Sequence, residues 1–150
     1  KEGEARVNDT IAQLTFLNDR TYYSISSLIT GQAQVFFTRT GANDPKFNLR
    51  HEPAFIIRKN GKAQSFISVM EIHGNFNPII EFSTNSYPSV KDIKLLQNDD
   101  RYSVTEIKID DKKLMIAQCN AGFDTKQVHT IQGISWTGPF TVLWDGKKLN

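Results

Sequence analysis

Along this chain apolar residues recur mostly at every second position, and almost nowhere at the three-and-four spacing of a helix. The segments are short. TIAQLTFL (10–17) and TYYSISSL (21–28) are separated by the turn-forming triplet Asn18-Asp19-Arg20. AQVFFT (33–38) follows Gly31. AFIIRK (54–59) leads into Asn60-Gly61, the favoured dipeptide of a two-residue type I′ turn, and AQSFISVMEI (63–72) reads as the returning arm. PIIEFS (78–83) and VKDIKLLQ (90–97) come next. YSVTEIKI (102–109) and KLMIAQCN (113–120) flank Asp110-Asp111-Lys112 as a second hairpin. HTIQGISW (129–136) and FTVLWDG (140–146) close the chain around Thr137-Gly138-Pro139. The one stretch that could form a helical turn is Ser89–Leu95.

About ten strands at roughly 8–12-residue spacing predict an all-β fold, an antiparallel β-sandwich. The 150 residues fit a single domain, 1–150, with no repeat and no Pro/Gly/Ser linker. Aromatic residues within the strand segments are expected to supply the core: Phe16, Phe36, Phe55, Phe66, Phe82, Trp136 and Trp144. Phe47, Phe76 and Phe123 stand in loop-like stretches and are expected to be exposed.

Composition narrows the partners. Hydrophobic residues are 39% and charged residues 23%, with a net charge of +2. Acids and lysines are interspersed, so no basic stripe predicts a nucleic-acid partner. No apolar run approaches the roughly 20 residues a membrane helix needs, and no membrane partner is expected. Cys119 is the single cysteine, and its strand pattern predicts an inert core thiol. The chain opens Lys1-Glu2-Gly3, without Met, which predicts a cleaved product or an excised fragment of a larger protein.

Catalytic patterns are sparse. His51, His73 and His129 are scattered, with no HxH, HExxH or paired-cysteine spacing, so no metal and no other cofactor is expected. There is no GxSxG and no phosphate loop. What stands out is two polar segments flanking the 54–72 hairpin, NLRHEP (48–53) and EIHGNFNP (71–78). Pairing about Asn60-Gly61 would put His51–Pro53 opposite Val69–Glu71. Arg50, His51 and Glu52 would then lie near Glu71 and His73, either as a binding site or as a surface salt-bridge cluster.

GANDPKFNLRHEPAFIIRKNGKAQSFISVMEIHG (41–74) resembles the C-terminal β-region of the heparinase II/III-like polysaccharide lyases, closest to the alginate (oligoalginate) lyase branch. The carrying features are the GANDPxFNLRxEPAFI entry, the expected hairpin and the acid followed by His-Gly after it in MEIHG. TYYSISSLITGQAQVFFTRTG (21–41) is similar too. The resemblance spans residues 10–145 and is most specific in 41–78.

This resemblance implies an upstream α-helical toroid domain, a periplasmic or secreted bacterial protein, and β-elimination of a uronic-acid polysaccharide. In that reaction a base takes the C5 proton, a cationic or hydrogen-bonding group neutralises the C6 carboxylate, and an acid protonates the departing O4. The family's catalytic Tyr, His and Asn residues, and its zinc ligands, lie upstream of the matching region. No catalytic residue is therefore expected here, and the isolated domain is expected to be inactive. Substrate contacts to an anionic polysaccharide or oligosaccharide are expected from Arg50, whose planar fork suits a uronate carboxylate, and from His51, Glu71, His73 and Asn75. The alternative is a stand-alone carbohydrate-binding or structural β-sandwich module, since fold alone does not decide function.

Overall fold

The computed structural model describes residues 4–31, 33–41, 51–120 and 126–149, the side chains of 51–53 excepted. Among the described residues there are fourteen strands and no helix. They are β1 (Glu4–Val7), β2 (Ile11–Asn18), β3 (Thr21–Leu28), β4 (Gln34–Gly41), β5 (His51–Arg58), β6 (Ser68–Asn77), β7 (Phe82–Thr84), β8 (Val90–Asn98), β9 (Tyr102–Ile109), β10 (Lys112–Cys119), β11 (Val128–Ile131), β12 (Ile134–Thr137), β13 (Phe140–Trp144) and β14 (Lys147–Lys148). Every pairing is antiparallel, the all-β class that the period-two patterning predicts and consistent with a β-sandwich. Ser89–Leu95 contains no helical turn, since β8 begins at Val90.

The chain forms two compact units, Lys1–Ser89 and Val90–Asn150. The first holds a five-stranded sheet in the order β1-β2-β3-β6-β7 and a β4-β5 ribbon. Its core is Ile11, Ala12, Leu14 and Leu28, with Gln13, Ser24, Ser26 and Ser27 buried beside them. Buried polar side chains need partners, and these largely find one another across strands. Gln13 Nε2 donates to Ser26 Oγ at 2.7 Å, Thr15 and Ser24 hydroxyls meet at 2.6 Å, and Ser27 and Ser68 hydroxyls at 2.7 Å. The second unit holds the sheet β14-β13-β10-β9-β8 and the ribbon β11-β12. Val104, Ala117 and Trp136 are its centre, with Tyr102, Met115, Cys119, Ile131 and Ile134 packed on them. Burial raises the pKa of the Cys119 thiol, so little thiolate is present near neutrality.

Several local expectations need correction. Residues 54–72 do not form a hairpin. β5 pairs with β4 over its whole length, with Phe37 and Phe55 facing at 6.2 Å, and β6 pairs with β3 and β7. A type I′ turn needs positive φ at both central residues. Gly61 has φ 137°, but Asn60 is not among the positive-φ residues. The connecting loop instead closes on itself, with Lys59 Nζ donating to the Ser65 carbonyl at 2.8 Å and Gln64 Nε2 to the Asn60 carbonyl at 2.9 Å. The 129–136 segment is two strands, because Gln132 (φ 49°) and Gly133 (φ 80°) meet the condition that Asn60 fails. In 78–83, only Phe82 and Ser83 belong to a strand, and Pro78–Glu81 is a turn. The Asp110-Asp111 hairpin and the Asn18–Arg20 turn form as expected.

The core is also less aromatic than expected. Among the seven expected core aromatics only Trp136 is fully buried. Phe36, Phe66 and Phe82 are exposed, and Phe16, Phe55 and Trp144 are half-buried. Phe76 is half-buried in β6 and not in a loop, whereas Phe47 and Phe123 lie outside the described residues.

Candidate functional site

β6 is the strand that positions the polar residues of MEIHG. Its register on β3 sets Glu71 opposite Ser24 and His73 opposite Tyr22, so all four share one face of the sheet. The pairing then slips. Thr21 pairs with Asn75, which leaves Gly74 as an extra residue in β6, a β-bulge. Gly74 has φ 58°, in the left-handed region where glycine is favoured. The bulge reverses the alternation beyond it, so Asn75 follows Thr21 onto the opposite face from His73.

His73 is tied at both ring nitrogens. Nδ1 lies 2.8 Å from the Asn85 carbonyl oxygen, which only accepts, so Nδ1 carries a proton. In the neutral ring Nε2 is then the acceptor, and it takes the Ser24 hydroxyl proton at 2.8 Å. Ser24 Oγ in turn accepts from the Thr15 hydroxyl. The chain Thr15–Ser24–His73–Asn85 therefore links β2, β3, β6 and the segment after β7. Tyr22 stacks on the His73 ring at 6.0 Å, and its hydroxyl meets Ser83 Oγ at 2.6 Å. The Glu71 carboxylate accepts the Ser89 backbone N–H at 2.8 and 3.0 Å. Ser24 and His73 superficially form a nucleophile and base, but Ser24 is fully buried and no substrate carbon can reach its oxygen.

Replacing His73 by Phe keeps the ring stack and removes both hydrogen bonds. The buried Ser24 hydroxyl then loses its acceptor, at an expected cost of about 1–3 kcal/mol. Urea unfolding of His73→Phe, Ser24→Ala and the double variant checks this. The His73→Phe cost should shrink when Ser24 is already Ala.

Beside this network lies a cleft of about 300 Å³, lined by Glu4, Thr15, Phe16, Leu17, Tyr22, Ser86 and Tyr87. β1 places Glu4 opposite Thr15 and Arg6 opposite Gln13. Both therefore stand on the face that carries Ser24 and His73. Arg6 reaches Glu4 Oε1 through Nε at 2.7 Å and Nη2 at 2.6 Å, and its guanidinium lies 5.1 Å over the Tyr87 ring. Arg6 is a permanent cation, as arginine side chains are, and its bond to Glu4 raises its pKa further.

Of the residues expected to form one cluster, the structure thus brings Glu71 and His73 together and turns Asn75 away. Arg50 lies outside the described residues. The backbone of His51 opens β5 opposite Gly41, and its side chain is outside the described set. The hairpin argument for bringing 48–53 to 71–78 does not hold, because β5 and β6 are not partners. Sequence reading also missed Thr15, Tyr22, Ser24 and Tyr87. A signal existed in TYYSISSL, where Tyr22, Ser24 and Ser26 repeat a hydroxyl at every second position and so mark one polar face. Among the described residues no group of three or more His, Cys, Asp or Glu side chains is placed to hold a metal.

No protein-family model matches the chain. Over 142 residues, 89% of its length, it is 28% identical to an exo-oligoalginate lyase of Saccharophagus degradans. Over 97 residues, 64% of its length, it is 34% identical to an alginate lyase of Stenotrophomonas maltophilia. The class defined by fold and comparison is therefore an all-β, polysaccharide-lyase-related chain. More particularly, the relationship is alginate-lyase-like. The chain spans only 19% and 13% of the lengths of these two relatives.

Proposed function

We propose that residues 1–150 are the C-terminal β-domain of a heparinase II/III-like polysaccharide lyase that cleaves alginate or a related polyuronate by β-elimination. The domain contributes substrate contacts and not the catalytic base. One observation carries this reading: similarity to two alginate lyases runs along most of the chain yet covers under a fifth of either relative. The state of His73 supports the non-catalytic role. With Nδ1 donating to Asn85, the one basic nitrogen, Nε2, faces the fully buried Ser24 hydroxyl and not a substrate carbon. In this reading the reacting residues belong to an upstream helical toroid, and the protein is periplasmic or secreted. Arg50 and His51 are the substrate contacts of this reading; Glu71 and His73 stand on one face of β6 and Asn75 on the other, so these three do not form one contact surface. Arg50 pairs with a uronate carboxylate, while Glu71 and His73 hold the strand ends in place.

The test has two arms, both read as ultraviolet absorbance of the unsaturated product. The full-length parent should generate it from alginate. The 150-residue chain alone should generate none from alginate or from glycosaminoglycans. Sustained product formation by the chain alone would falsify the non-catalytic role. A parent inert on every uronate polymer would leave the carbohydrate-binding module as the better reading.

A further inference from the structure

We infer that the cleft beside Tyr22 and Tyr87 is a binding subsite for an acidic sugar, built from residues other than the proposed Arg50 contact. The choice of a uronate as its ligand rests on the lyase reading above; the existence of the subsite rests on geometry. At about 300 Å³ the cleft is at the small end of ligand sites, which suits one sugar unit and not a long segment. Its lining combines aromatic surface from Phe16, Tyr22 and Tyr87 with hydroxyls from Thr15 and Ser86. Tyr87 is 65% exposed, and an exposed tyrosine face is suited to stack on a pyranose.

Two of the lining side chains are already fixed before any ligand arrives. Tyr22 is held by Ser83 and the His73 ring, and Thr15 by Ser24. Fixed groups lose little entropy on binding. Arg6, over Tyr87 at the rim, supplies the cation. Its contacts with Glu4 use Nε and Nη2 on a single carboxylate oxygen, and a guanidinium has five N–H donors. The pair is exposed, so an incoming carboxylate can compete with Glu4 at small cost.

The signs of three substitutions separate a ligand site from a structural patch. Isothermal titration of the 150-residue chain uses mannuronate monosaccharide, which has no glycosidic bond to cleave. Tyr87→Ala and Arg6→Gln should each weaken binding about tenfold or more. Glu4→Gln should tighten it, because Arg6 is released and a repelling charge is removed. Mannose should bind more weakly than mannuronate and be indifferent to Arg6→Gln. Circular dichroism shows whether each variant is folded, and Arg6→Gln, on an exposed side chain, serves if Tyr87→Ala is not. The inference is overturned if the unaltered chain does not bind mannuronate, or if folded Arg6→Gln binds it as tightly as the unaltered chain. Failure of the parent to cleave any polyuronate, with these binding shifts intact, would remove the lyase reading and leave the subsite standing.

Discussion

Gly74→Ala should lower the stability of the chain by about 2–4 kcal/mol, the largest effect expected of any single substitution in the β3–β6–β7 region. Two causes add. At φ 58° a side chain is strained in any surroundings. In addition, a Cβ at this position would collide with the backbone carbonyl oxygens of Thr84 and Asn85. Neither is the far end of a flexible side chain, so relief requires β7 to shift away from β6. The Asn85 carbonyl is also the acceptor of the His73 Nδ1 proton, and the same shift would loosen the buried network. Thermal unfolding followed by circular dichroism should show a Tm lower by about 4–16 °C. A Tm within one degree or so of the unaltered chain (about 0.3 kcal/mol on the same scale) would show that the bulge is not held as described.

The second large effect belongs to the proposed function. In the full-length parent, Arg50→Ala should reduce kcat/KM on its polyuronate by roughly tenfold to a hundredfold. The basis is the loss of a charge-assisted hydrogen bond to the substrate carboxylate, worth about 1.5–3 kcal/mol. Arg50→Lys should recover only part of the loss, because an ammonium keeps the charge and lacks the planar fork. The expected pattern is a kinetic change with an unaltered Tm. Unaltered kinetics on every uronate polymer the parent cleaves would remove Arg50 from the substrate contacts.

These two residues differ in how they are found. Arg50 was selected from its sequence, from the fork chemistry of its side chain and the motif around it. Gly74 was part of the same MEIHG motif, yet its role was not legible there. A glycine inside a strand pattern signals a bulge in general terms. The phase reversal that separates His73 from Asn75 exists only once β3 is known to be the partner strand. Likewise, Ser24 reads as an ordinary strand residue until its register sets it against both Thr15 and Glu71.

By itself the sequence determined the strand class and many of its turns. Period-two patterning is a local property, since side chains alternate along a strand whatever its partner is. The Asp110-Asp111 turn was legible for the same reason: its residues carry their own conformational preference. Only the tertiary structure decided which strands meet. Phe55 and Ile57 can bury their apolar sides against either β4 or β6, and local pattern does not rank the two. The choice of β4 moved β5 away from β6 and undid the hairpin on which the expected cluster was built. The choice of β3 as partner of β6 then assembled what no short segment shows, Thr15, Tyr22, Ser24, His73 and Asn85, five residues spread over about seventy positions and joined by cross-strand hydrogen bonds and ring contact.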